Sequence, residues 1–599
     1  MDQNAWTATW TWQMGPISMP SLRWGERRAG RTHKCQHCRL ILITGKRTDF
    51  CCGKQGSRLH DVPPLPPLPP EYITFINSPN ISSMSRILNL MFSFASLEST
   101  HVFPNFNGLP GFMAIQGKIY HRVHPEHRNS AVWWLLYYRN MQNINEYPHE
   151  RWSATIPAEW IAAVWAMLMW VNPFVHHIRI LGQLNPAHCP NATLTLADSG
   201  SAKIAAVMDY DNTTQDEVWA RTIVISHTNG QNQQIATVSR MWEPLSYLLL
   251  FPEGTLGWGV VDDCWSIVAG VLSRDDDACT TQIWHYHTRL LREPCIQIFG
   301  QLTNEYLVDM FSRYLDTVLN YIRGGQMQRC IRENDAELMG DPNVNDSDNV
   351  YLPASFLGLR CWAQKQVSDS LAVAAALGNL MFFVTMTCNA QWSKIQSQLC
   401  PGQDYSDIPL VVVWVLKQKL TLLLAAIKMM FPNAGAQVYC LWSIEFQKCG
   451  LPHVHLLFHF EKPCLDPNDI DDIVSAEIPT NINDAALVRR FMMHNHPPAD
   501  RPASKYCQKQ DDNGTWTCRF HYPHPLQQVT TVNSEGHVHY RCHKAGNEMV
   551  VPHCLPLVKK FGCHINFKVA NTSHLFQYLF KYIHKGNNLC HLLICNASY

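Results

Sequence analysis

Glu445-Phe-Gln-Lys-Cys-Gly-Leu-Pro-His453-Val-His455-Leu-Leu-Phe-His459-Phe460 sets the fold of this chain. A strand has a side-chain period of two, so Tyr439, Leu441, Ser443 and Glu445 share one face, as do His453, His455 and Leu457. Gly450 and Pro452 supply turn chemistry between the two runs, which predicts a β-hairpin. In that hairpin His453 and His455 project side by side, and Glu445 reaches the same face from the preceding strand. Two imidazoles and a carboxylate form a donor set for a divalent cation.

The flanking sequence predicts a compact α+β region from Tyr351 onward. Ser370 to Cys388 carries no charge after Ser370 and imitates a membrane span. Gly378-Asn379 divides it into an Ala-rich helical half, Leu371 to Leu377, and a β-rich half, Met381 to Thr387, so a helix, a tight turn and a buried strand are expected. A short helix from Trp392, a loop from Pro401 to Pro409 and a long helix from Leu410 to Met430 precede the hairpin. Leu465-Asp-Pro-Asn-Asp469 opens another helix, with Pro and acidic residues in its first turn. Residues 490–545 are rich in His and Cys: His494, His496, Cys507, Cys518, His521, His524, Cys542 and His543. Their spacings follow no tight zinc template. The same region holds a second His-Val-His, at 537–539, but its nearest carboxylate, Glu535, sits in the turn itself, which favours His453 and His455 as the cation ligands.

Working back to the N-terminus, residues 1–32 are a basic leader and residues 33–60 a Cys-rich unit. Cys35 and Cys38, followed by Cys51 and Cys52 after a spacer, predict a zinc-ribbon-like site, because four ligands can fold a segment too small for its own core. His33, His37 and His60 compete with Cys52 for the fourth position. The Pro-rich stretch at 61–72 reads as a stiff spacer. Residues 73–340 are mixed: apolar helical segments at Ile87–Leu97 and Trp160–Val171, a β-rich stretch at 189–241 with an Asn229-Gly230 turn, an apolar strand at Leu248–Phe251, and a helix at Gln282–Arg292 carrying His285 and His287 on opposite sides. Asp335 to Asp348 reads as a surface loop or boundary. With 599 residues, 46% hydrophobic and 16% charged, and a formal net charge of zero, the chain has apolar sequence for several cores and no global attraction for polyanions. The absence of a basic-apolar leader predicts an intracellular or nuclear protein that is not secreted, with its 22 cysteines mostly reduced and no membrane partner.

Ser573 to Gly586 has helical spacing and a glycine stop. Tyr578 and Tyr582 lie one above the other on one face, and Lys581 and Lys585 form an adjacent basic stripe. A tyrosine hydroxyl, with a pKa of about 10, is a weak nucleophile at neutral pH. A cation on a non-bridging phosphate oxygen makes a phosphodiester a better electrophile, and the lysines can stabilise the phenolate and the phosphate charge. Two tyrosines permit two successive strand transfers.

Three stretches, Phe383-Val-Thr-Met-Thr-Cys-Asn389, Glu445 to His455 and Tyr578-Leu-Phe-Lys-Tyr-Ile-His-Lys-Gly586, resemble the motifs of the replication-initiator domain of Helitron rolling-circle transposases, which belong to the HUH endonucleases. Leu352–Phe356, Pro401–Asp404 and Asp469–Glu477 extend the likeness, and the Cys-rich unit with its Pro tract resembles fungal members. The resemblance implies a multidomain α+β chain with a central, palm-like antiparallel sheet flanked by helices in residues 350–599, interrupted by the His/Cys-rich insertion. It implies Mg²⁺ or Mn²⁺ on His453 and His455, with Glu445 as third ligand or Gln447 in its place. Tyr578 and Tyr582 then nick single-stranded DNA at the transposon ends, leaving a 5′-phosphotyrosine and a free 3′-OH. Two departures stand out: Cys449 occupies a position where a basic residue is expected, and no Walker A motif is present, which leaves two expectations, a fragment of a longer polyprotein or a decayed copy that relies on a helicase supplied elsewhere. Two rival expectations follow: a remnant without catalysis that binds DNA through its zinc unit, and a zinc hydrolase at His453 and His455.

Overall fold

The structure is a computed structural model. It describes residues 11–18, 156–175, 239–259, 280–324 and 589–594, most of 22–99, 352–496 and 507–570, and the short strands at 119–122, 223–226 and 232–235, a few single positions within these ranges excepted. The chain is α+β and divides into two compact units. One comprises residues 24–351 with 398–409; the other comprises 1–23, 352–397 and 410–599.

The first unit is built on helices α1 (Ile81–Phe92), α2 (Ala158–Val171), α3 (Gln282–Arg292) and α4 (Gly300–Arg323). The helix expected at Ile87–Leu97 begins earlier and ends at Phe92, because extended Ser93 stops it and strand β1 (Ser96–Ser99) follows. β1, β2 (Ile119–Arg122), β3 (Ile223–Ser226) and β4 (Asn232–Ile235) form a four-stranded sheet in that order. β3 and β4 are antiparallel and flank Asn229-Gly230. Leu248–Phe251 is not a strand. It is a buried turn in which the N–H groups of Leu250 and Phe251 both donate to the Tyr247 carbonyl, and among the described residues no strand pairs with it. Beside it Glu243 and Arg313 are both wholly buried and form an ion pair, and Glu243 also accepts from the Tyr306 hydroxyl (2.8 Å) and the Trp258 N–H (2.8 Å). A buried charge pair is tolerated only when its remaining hydrogen-bonding capacity is met, as here.

The Pro-rich stretch lies along α3. Arg289 donates to the Pro63 carbonyl (2.6 Å), Arg292 to that of Val62 (3.4 Å), and the Leu65 N–H donates to Glu293 (3.1 Å). Stiff sequence read as a spacer is thereby fixed as a strap.

The second unit holds a wholly antiparallel five-stranded sheet. Its strands are β5 (Phe382–Thr387), β6 (Gln437–Phe446), β7 (Pro452–Phe460), β10 (Ile565–Val569) and β11 (Leu589–Ile594), in the order β10-β5-β7-β6-β11. The hairpin β8 (Gln508–Gln510) and β9 (Trp516–Cys518) is separate. Helix α5 (Arg360–Leu377) precedes β5, and Gly378 turns the chain at φ +104°, where a Cβ would approach the His459 ring at 3.2 Å. The apolar 370–388 run is thus a helix, a glycine turn and a buried strand. Helix α6 (Pro409–Met430) is, among the described residues, long and apolar enough to cross a membrane. Its buried Val412, Val415, Leu416, Leu420, Leu423, Ile427 and Met430 recur every three to four residues, the stripe of a helix that packs on one side. The Phe431 ring beyond it stacks on Phe382 of β5 (5.9 Å), and both meet Trp12 edge-on. Helices α7 (Pro467–Ile473), α8 (Ile482–Phe491) and α9 (Leu555–Phe561) complete the unit, the first two capped by Asp466 and Asn481.

Candidate metal centre

The two central strands make the site. β6 and β7 pair with Glu445 opposite His453 and Ser443 opposite His455, while β5 sets Thr387 opposite His453 and Thr385 opposite His455 on the other side. The turn closes with the Gly450 N–H donating to Gln447 (2.8 Å) and the Gln447 N–H to Leu451 (3.0 Å). Gly450 adopts φ +77° there, while Pro452 is the first residue of β7, a position where its missing N–H costs nothing to the ladder. The alternation expected from sequence holds along both strands: Tyr439, Leu441 and Leu457 share a core with Phe383 and Ala374, and Glu445, His453 and His455 continue that face toward the turn.

One ligand atom from each of Glu445, His453 and His455 lies within 4.8 Å of the others. The rings of the two histidines are 4.7 Å apart, and Glu445 Oε1 is 3.2 Å from His455 Nε2. His453 is 8% exposed and His455 only 2%, so the imidazoles are sequestered while the carboxylate keeps some contact with solvent. Burial holds the His453 pKa well below its ordinary value of 6.5, helped by His455 and His564, which keeps the ring neutral and its nitrogen available to a cation. Thr387 Oγ1 meets His453 Nδ1 at 2.7 Å, which leaves Nε2 as the ligand atom. Ser443 Oγ, on the same face as Glu445, is buried with no hydrogen-bond partner among the described residues. Two buried imidazoles, a carboxylate and an orphaned hydroxyl fit a divalent cation better than they fit one another.

Residues 282–458 match the model of the Helitron helicase-like domain at the N-terminus. Over that stretch the chain is similar to the Helitron helicase-like family. The matched segment runs from α3 to the penultimate pairs of β7, so Glu445, Gln447, His453 and His455 of the Helitron-like segment all fall inside it, and it ties the chain to Helitron transposase-related function. No curated protein matches the chain. Of the remaining site residues expected from sequence, Gln447 lies one position past the end of β6, in the turn. Tyr578, Lys581, Tyr582, Lys585 and Cys449 fall outside the described residues. Thr387 and Ser443 were not singled out from sequence. Both are short polar residues inside apolar strands, and only the cross-strand register reveals what they face.

The N-terminal cysteines form the second expected cluster. Cys35, Cys38, Cys51 and Cys52 bring their sulfurs within 4.8 Å of one another, with Cys35 3.5 Å from Cys52 and Cys38 3.2 Å from Cys51. Cys52 therefore takes the fourth place, and His33 instead accepts from the Gly45 N–H. Burial pushes the Cys52 thiol up to about 12 and the Cys51 thiol up as well, while Cys35, despite burial, is drawn down to about 7 by the backbone N–H groups of Cys38 and His37. Four crowded thiols of this kind are relieved by a cation that accepts thiolates. Leu42, Leu59 and Leu291 of α3 pack around them, so the cluster shares apolar cover with the helix that also holds the Pro-rich strap.

Proposed function

We propose that this chain is a metal-dependent tyrosine endonuclease and strand transferase that nicks and joins single-stranded DNA during rolling-circle transposition. The single observation that carries the reading is the convergence of Glu445, His453 and His455 on the central hairpin, inside the segment that matches the Helitron helicase-like domain. His453, His455 and Glu445 would hold Mg²⁺ or Mn²⁺. The cation supplies charge neutralisation at a phosphate oxygen and so makes the phosphorus a better electrophile. Thr387 holds the His453 ring in one tautomer, and burial keeps that ring neutral. The Tyr578 or Tyr582 oxygen then forms a bond to phosphorus as the bond to the 3′ oxygen breaks. The phenolic proton is released with help from the cationic Lys581 and Lys585, and the departing oxygen takes a proton to become the free 3′-OH. Zinc at Cys35, Cys38, Cys51 and Cys52 would be structural.

Labelled single-stranded DNA incubated with the protein and Mn²⁺ is expected to give a denaturation-resistant adduct, lost when Tyr578→Phe and Tyr582→Phe are combined. An adduct that survives the double substitution removes the tyrosines from the mechanism. DNA binding without cleavage under Mg²⁺ or Mn²⁺ would replace the enzyme with a binding protein.

A further inference from the structure

Ten His and Cys residues crowd residues 490–545, and the fold brings four of them together. His494, His496, Cys507 and Cys518 bring one ligand atom each within 4.8 Å of the others. Among the others, the His543 N–H donates to Glu477 (2.9 Å), His524 packs on Tyr522, and Cys542 pairs through its backbone with Gln527. The geometry points to a structural zinc site made by His494, His496, Cys507 and Cys518, which pins the β8–β9 hairpin to the extended segment that follows α8.

Four observations carry it. First, Cys518 Sγ lies 3.5 Å from His494 Nε2. Zinc–sulfur and zinc–nitrogen bonds of about 2.3 and 2.0 Å place the ligands of a tetrahedral ion roughly 3.5 Å apart, so these atoms already stand at the edge length of such a site. Second, His496 Nε2 is buried with no hydrogen-bond partner among the described residues, a cost that a metal bond removes. Third, the two ligand pairs ride on separately fixed backbone. The His494 N–H donates to Met549 (2.8 Å) and the Val551 N–H to Met492 (2.7 Å), which sets the extended His494-Asn-His496 segment with its two rings 5.0 Å apart. Across from it, the Arg519 N–H donates to Cys507 (2.7 Å), and Gln508 pairs with Cys518, which places both thiols at the open end of the hairpin. Fourth, the hairpin has no core of its own: Lys509, Gln510, Trp516 and Thr517 are all exposed. Strands of three residues do not hold together unaided, and a cross-link through the metal is what would keep this pair ordered. Two thiolates with two imidazoles select zinc over Mg²⁺ or Mn²⁺, so the site is chemically distinct from the one at His453.

The test uses the full chain, purified under reducing conditions, with its zinc measured by elemental mass spectrometry. The unaltered chain is expected to hold two zinc equivalents, and the Cys507→Ser/Cys518→Ser variant one. The Cys38→Ser/Cys51→Ser variant also loses one, independently of the first pair. Zinc content unchanged by Cys507→Ser/Cys518→Ser overturns the site, as does a Cys507–Cys518 disulfide in the zinc-loaded protein. Should that variant fail to fold, the unaltered chain reloaded with Co²⁺ decides: a tetrahedral spectrum with a two-thiolate component beside a four-thiolate one supports the proposal, and a four-thiolate component alone refutes it.

Discussion

His453-Val-His455 and His537-Val-His539 share the same three residues, yet the fold treats them differently. The first lies in a nine-residue strand with a partner on each side, and both imidazoles are buried against a third ligand. The second ends a two-residue strand whose neighbour is the equally short Thr531–Val532, and His539 is exposed. Among the described residues it joins no metal-binding group. A His-apolar-His strand places two nitrogens on one side wherever it occurs. What makes a centre of them is the pair of adjoining strands, one delivering Glu445 and the other Thr387, and the apolar floor that buries the rings.

The comparison breaks most readily at the histidines. His453→Ala combined with His455→Ala should reduce Mn²⁺-dependent nicking by about 10³-fold or more, since cation stabilisation contributes several kcal/mol to such transition states. His537→Ala with His539→Ala should leave nicking within about 2-fold and stability within about 0.5 kcal/mol, as expected of a surface change. Equal losses from both pairs, read on a denaturing gel, would show that the sheet context does not distinguish them. Glu445→Gln keeps the shape but removes the charge, and calorimetric Mn²⁺ affinity should fall by more than the ~10–100-fold that loss of an outer partner costs. Thr387→Val tests that outer partner directly. Affinity is expected to drop ~10-fold with the fold intact, and Thr387→Ser should restore it; an unaffected Val variant would mean that His453 needs no such orientation.

A smaller effect concerns stability. His564, whose carbonyl accepts from the Thr387 N–H, is pushed by burial, and further by His553, from 6.5 down to about 4. Between those values the unfolded chain binds a proton that the folded chain does not. Stability from this group is therefore complete above pH 6.5 and declines as pH falls toward 4, by ~2 kcal/mol at pH 5. Denaturant titrations of the metal-free protein at pH 7 and pH 5 should show that loss, and His564→Gln should shrink it. A profile identical in the variant would mean that the ring takes up its proton inside the fold.

Much of this was legible in the sequence because it rests on short periods. The alternation from Tyr439 to Glu445 and from His453 to Leu457 fixed the hairpin and the shared face, and Gly378 divided a membrane-like run into helix and strand. Spacing also pointed to Cys35, Cys38 and Cys51, while the fourth place, open between Cys52 and the histidines in the sequence, went to Cys52 in the fold. Readings failed where a neighbour absent from the local sequence overrode propensity. Leu248–Phe251 has strand composition but forms a buried turn among helices.

The sequence by itself determined the hairpin of Glu445, His453 and His455 and the face they share, because a strand's two-residue repeat acts over a few bonds. Only the tertiary structure decided the strand order that brings Thr387 to His453, the two-residue strand on which the exposed His539 ends, and the convergence of His494, His496, Cys507 and Cys518 out of ten His and Cys residues. Those outcomes depend on contacts between residues far apart in the chain, whose pairing is selected by burial of the whole sheet and not by any local pattern.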